Sequence, residues 1–212
     1  GYRILVLECH KPSAIRRKVS FGEAVFDGAS AVEGVTGRLI SDISEAEKIW
    51  EAKEIPILVD ETGETAKKLK PAALIDAILA KKNLGTNRDM ASLTVALGPG
   101  FEAGKDVDFV IETQRGHNLG RVIQKGSAAP NTGIPGMIAG YGKERVIHSP
   151  AAGIMHNLSQ IGDIVEKDQI LARVDDVPVY ASLTGVLRGI IRDGYDEQVD
   201  KLRKAKSEGK DW

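Results

Sequence analysis

Hydrophobic and polar positions change their pattern near residue 90. Before that point, three apolar runs stand out: "RILVLE" from Arg3 to Glu8, "IPILVDE", and "ALIDAILA". Continuous runs of this kind read as strands buried on both faces of a parallel sheet. The segments between them read as helices. "KPSAIRRKVSFGEAVFDG" predicts a helix start at the Pro-Ser pair followed by short helical turns that close at Gly28. "SEAEKIWEAKE" predicts a helix with Ser44 as N-cap, Glu47 completing a capping box, and Ala46, Ile49 and Trp50 facing inward. "TGETAKKLKP" predicts a short helix stopped by Pro71. Alternating strands and helices place residues 1–90 in the α/β class.

From residue 91 the runs shorten to "SLTVALG", "DFVIET", "GRVIQKG" and "GMIAGYG", each bounded by Gly, Pro or Asn. These predict short strands joined by turns, a β-rich part over 91–144. A third segment, 145–195, repeats itself. Gly153 and Gly185 are 32 residues apart, each is followed nine residues later by another glycine, and "GIM" matches "GVL". Two copies of one β unit are expected there. Residues 196–212 form a polar tail. Across Arg192–Trp212 only Val199 and Leu202 serve as aliphatic anchors, so that stretch reads as a solvated helix or as disorder.

Composition narrows the function classes. The 29 Lys and Arg residues nearly match the 30 Asp and Glu residues, which disfavours nucleic acid as a partner. No apolar run approaches the roughly 18 residues needed to cross a bilayer, so no membrane partner is expected. A lone cysteine, Cys9, cannot form an intrachain disulfide and fits a cytoplasmic location. The four histidines lack paired ligand spacing, and no metal site is expected.

Candidate chemistry concentrates between residues 75 and 136, where polar side chains alternate with glycines. Lys81, Lys82 and Asn83 follow an apolar run and are expected at the carboxyl end of its strand, where α/β sheets bind ligands. Gly98, Pro99 and Gly100 form a turn whose amides are candidates for an anion nest. Arg115, His117 and Arg121 are candidates to complete a pocket for phosphate, carboxylate or molybdate oxygens. Each group also has an ordinary reading as solvated lysines, a simple turn, or a structural histidine. Glu8 ends a strand as the ribose-binding acid of a dinucleotide fold does. The matching Gly-rich turn would have to precede Gly1, because no GxGxxG occurs in the sequence. Nothing in the sequence is read as catalytic machinery.

Two resemblances add to this reading. "SPAAGI … GDIVEKDQILARV … TGVLRGIIRDG" resembles the biotinyl/lipoyl type of β module, a barrel-sandwich hybrid. Such modules carry biotin or lipoate on a lysine in the central hairpin. That hairpin is "VDDVPV" here, without a lysine, so no covalent biotin or lipoate is expected.

The second resemblance rests on "VEGVTGRLI", "LKPAALIDAILAKKNLGT", "ALGPGFEAGKDVDFVIETQRGHNLGRVI" and "GSAAPNTGIPG", and is to the YqeB family. It implies an accessory role in maturing selenium-dependent molybdenum hydroxylases. It also implies an incomplete Rossmann-like α/β part over 1–90, lacking its first strand and Gly-rich turn, followed by β-rich parts. The implied ligand is an anion related to the molybdenum cofactor, or a nucleotide, and the implied partners are a client hydroxylase or cofactor maturation proteins. An alternative role is a non-catalytic scaffold that docks the client through the C-terminal β module. A truncated α/β half would expose a sheet edge, which is compatible with a homo-oligomer.

Overall fold

The computed structural model describes residues 2–133 and 135–196. The tail reading therefore lies mostly outside the described residues. Strands from separate sheets, both parallel and antiparallel, make up most of the regular structure, and helices are few and short. Among the described residues, no helix is long and apolar enough to cross a membrane.

The first sheet contains β1 (Val6–Glu8), β2 (Ala29–Val32), β3 (Val35–Ile40) and β4 (Ile55–Val59), with α1 (Ala24–Asp27) and α2 (Ala46–Glu51) in its connections. Its order is β1-β4-β3-β2. β1 and β3 run parallel to β4, and β2 pairs antiparallel with β3. The β2–β3 hairpin is absent from the sequence reading. Its two-residue turn, Glu33–Gly34, holds both residues at positive φ, 50° and 82°, as a tight hairpin turn requires. The helical onset also differs. Asp42 rather than Ser44 caps the segment, accepting from the Ser44 amide, while the Glu45 carboxylate accepts from the Asp42 amide. A 3-10 turn over Ile43–Glu45 therefore precedes α2. Ile40, Ala46 and Ile49 form the core of this layer, and Ile57 is fully buried.

Next come α3 (Glu64–Leu69), β5 (Leu74–Asp76), β6 (Thr94–Leu97), β7 (Phe109–Ile111) and β8 (Val122–Ile123). These strands form a sheet in sequence order, with β5, β6 and β7 parallel and β8 antiparallel. The run "ALIDAILA" yields a strand of only three residues. Its later half turns away, with Leu79 and Lys81 at positive φ. Residues from Thr62 to Gly142 form one compact unit, and those up to Glu61 and from Lys143 form the other. Residue 90 lies inside the first of these, because β5 pairs with the β6 that follows it.

The C-terminal strands are β9 (Met155–Asn157), β10 (Ile164–Val165), β11 (Ile170–Val174), β12 (Val177–Tyr180) and β13 (Gly185–Val186). Hydrogen bonding reproduces the internal repeat. Gly162 donates to the Leu187 carbonyl and Gly194 to that of Met155, while Leu187 donates to Asp163 and Met155 to Tyr195. Each pair maps onto the other by the 32-residue offset, so the two copies clasp one another. The β11–β12 turn is Asp175–Asp176.

This module is anchored to the N-terminal segment. Ile190 donates to Ile15 (2.9 Å), Arg17 Nε to the Ile190 carbonyl (3.0 Å), and Lys18 Nζ to the Ile161 carbonyl (2.9 Å). Arg192 grips both oxygens of Asp27 at 2.7 and 2.9 Å, reaches Glu23 at 3.0 Å and lies over the Phe26 ring. These bonds hold Asp27 below its ordinary carboxylate pKa. An ion pair with one half-exposed partner contributes about 1 kcal/mol, so Arg192→Ala should cost about that much in urea denaturation at pH 7. Because the folded pKa of Asp27 is lowered, its contribution is present above the unfolded value near 4 and is lost as pH falls below it. The gap between the two proteins should therefore close under acid conditions.

Candidate functional site

Because β5, β6 and β7 run parallel, the loops that follow them open on the same edge of their sheet. They carry Lys81–Asn83, Gly98–Gly100 and Arg115–Arg121 respectively. Carboxyl edges are where α/β sheets place ligands, although this sheet has no reversal of strand order to form a crevice.

The β5 loop is tied by its own side chains. Asp76, buried, accepts from the Ile78 amide (3.1 Å) and from the Thr86 hydroxyl (2.6 Å). Asn83 spends both ends of its amide locally, accepting from Gly85 and donating to the Thr86 carbonyl. Lys81 sits at φ 63°, a left-handed conformation that a side-chain-bearing residue holds only under constraint. The constraint includes the neighbouring loop. A Cβ added at Gly100, where φ is 111°, would lie 2.6 Å from the Lys82 Cα, so the Gly-Pro-Gly turn packs directly on the Lys81–Lys82 backbone. Two stretches separated in sequence thus meet.

The nest expected at Gly98–Gly100 is smaller than three amides. Gly98 donates its N–H to the Ile111 carbonyl as a rung beyond the ladder, and Pro99 has none to give. The β7 loop is secured by Glu112, buried, whose carboxylate accepts from the Gln114 (2.7 Å) and Ala129 (2.8 Å) amides. Those amide donors keep its pKa below the ordinary value. Arg115, His117 and Arg121 are exposed. The Arg115 stem lies beside Gly136.

Ion pairing is uneven among the cations. Arg3, Arg17, Arg38, Arg88 and Arg192 are each bonded to a carboxylate. Among the described residues, the side chains of Lys81, Arg115, His117 and Arg121 have no such partner. The rim is open. Two recesses of about 470 and 400 Å³ lie in the other unit, one beside Trp50 and one beside Asp27, and neither includes a loop residue of this sheet.

Glu8 ends β1 and accepts from the Cys9 amide (2.8 Å), with its second oxygen next to Gly22. Asp76 and Glu112 repeat the device, since each follows or ends a strand and secures the loop beyond it. The sequence reading missed both, although an acid closes the apolar run before Glu112 as it does at Glu8, while Asp76 interrupts its run. Burial, then the adjacent Glu8, pushes the Cys9 thiol up to about 11, which leaves it protonated and a poor nucleophile at neutral pH. His10 bonds to Glu61 through its backbone amide and its ring. Among the described residues, no group of three His, Cys, Asp or Glu side chains is arranged to hold a metal ion.

No family model and no solved structure matches the chain. A curated relative, "Uncharacterized protein YqeB" of Escherichia coli strain K12, is 50% identical over 194 residues, covering 92% of this chain. This likeness supports membership of the YqeB family. The chain spans 36% of that YqeB protein's length, and the relative is itself uncharacterized, so the likeness carries no activity with it.

Two substitutions test the rim. Gly100→Ala should displace the Lys81–Lys82 backbone and cost about 1–3 kcal/mol, read as a lowered melting temperature. Glu112→Gln should cost about 1–2 kcal/mol at pH 7. Because Glu112's folded pKa is lowered, the penalty should be full above the unfolded value near 4 and fade below it, as measured by urea denaturation across pH.

Proposed function

We propose that this chain binds a small anionic ligand on the carboxyl-edge rim of the β5–β8 sheet. In this reading it serves as an accessory protein in maturing selenium-dependent molybdenum hydroxylases, with a ligand related to the molybdenum cofactor. The observation that carries the binding reading is the set of cationic side chains without a carboxylate partner, Lys81, Arg115 and Arg121, on loops that share one sheet edge. Lys81 supplies a point charge beside the Gly100 turn, and Arg115 and Arg121 offer planar donor forks for phosphate or oxo groups. The donor set suits the anionic end of such a ligand. The strained backbone at Lys81, held by Asp76, Asn83 and Gly100, is the kind of pre-organisation that binding sites retain. The molybdenum role rests on the sequence resemblance.

We take the β1–β4 sheet as part of a Rossmann-like half and the residue 145–195 module as a barrel-sandwich hybrid, a reading supported by its reciprocal repeat bonding. A second role, client docking through that module, is favoured by one observation. Its hairpin turn bears Asp175 and Asp176 in place of a modifiable lysine, while Arg17, Lys18 and Arg192 hold the module down.

Calorimetric titration with molybdate and with inorganic phosphate distinguishes the two. The rim reading expects saturable heat, weakened by rising salt and reduced about tenfold or more in an Arg115→Ala, Arg121→Ala double variant. No heat with either anion, or equal affinity in the variant, would favour docking alone.

A further inference from the structure

The β5–β8 sheet has two apolar faces, and among the described residues one buried cluster packs on it. On one face Thr94, Ala96 and Val110 are fully buried, and Phe101, Ala103 and Val107 pack over them. Alternate positions point the other way. There, Ile75, Val95 and Phe109 line up in one register row, and Leu97, Ile111 and Val122 in the next. Both rows lack any polar side chain. Ile75 is 64% exposed and Val122 54% exposed, and the four between them are only half-buried.

Parallel strands are ordinarily covered on both faces, because the crossover connections between them supply helices. In this sheet the crossovers supply none. The β5–β6 connection contains a three-residue 3-10 turn at Arg88–Met90, and the β6–β7 connection contains no helix at all. The missing layer must come from another source. A second copy of this chain is a poor candidate, since a face two register rows deep falls far short of the roughly 800 Å² per partner of a stable interface. The YqeB relative supplies a better one, because nearly two-thirds of its length lies outside the region this chain matches.

We infer that the Ile75, Val95, Phe109, Leu97, Ile111 and Val122 face seats an amphipathic helix from a further segment of a longer polypeptide that carries this sequence. The helix completes the second layer of the sheet, with an apolar stripe against the two rows and a polar face outward. This inference stands independently of the anion reading, since it concerns the face of the sheet and not its carboxyl edge.

Hydroxyl-radical footprinting of the natural full-length gene product, without substitutions, tests it. Oxidation rates at Ile75 and Val122 are compared with those of the same peptides in the urea-unfolded chain. A covering helix predicts at least threefold protection at both residues, unchanged on hundredfold dilution. Less than threefold protection at either residue overturns the inference, as does protection that fades on dilution, which would assign the face to a second copy. A gene product ending with these 212 residues and showing both side chains reactive would overturn it equally.

Discussion

Parallel pairing of very short strands is the constraint from which the rest of this structure follows. In the β5–β7 run, three strands of three or four residues point the same way, so every loop that leaves them does so at one edge. That arrangement gathers Lys81, Gly100 and Arg115 on a common rim without any long-range tether between them. The same constraint carries a cost. Parallel neighbours need crossovers, and crossovers built from turns instead of helices leave one face of the sheet apolar and open. Rim and bare face are two outcomes of a single topological choice.

Acids at strand ends do the local work of holding these loops. Glu8, Asp76 and Glu112 each turn a carboxylate back onto backbone amides just past the strand. A buried or half-buried carboxylate is stable in such a place only because oriented N–H groups replace its lost water. The oxygens of Glu112 are committed to backbone amides, and those of Asp76 to the Ile78 amide and the Thr86 hydroxyl. The ionic network elsewhere behaves differently, with both terminal nitrogens of Arg192 bonded to Asp27 and Glu23.

Several features were legible in the sequence for physical reasons. Apolar runs located β1, β4 and β5, and the 32-residue recurrence of glycines anticipated the reciprocal bonding of Gly162 and Gly194. Lys81–Asn83 followed a strand and lie at its carboxyl end. Other features were hidden. The β2–β3 hairpin turns on Glu33, a residue with no special turn preference, so only Gly34 marked it. The cap at Asp42 competed with an equally plausible Ser44, and the choice depended on Glu45 being placed to bond back. The spent amide of Gly98 reflects a tertiary bond to Ile111 that spacing alone does not encode. Strand partners are likewise nonlocal, so the membership of β5 in the later sheet was not readable from its own residues.

The bonds between Ile15 and Ile190, and between Asp27 and Arg192, have a consequence for biosynthesis. Their first members leave the ribosome some 165 residues or more before their second. The stretch from Thr62 to Gly142 is contiguous and holds its own buried cluster, so it can mature while the flanking segments still wait for each other. The segment from Ile15 to Asp27 therefore waits longest for its partners, which arrive only with Ile190 and Arg192.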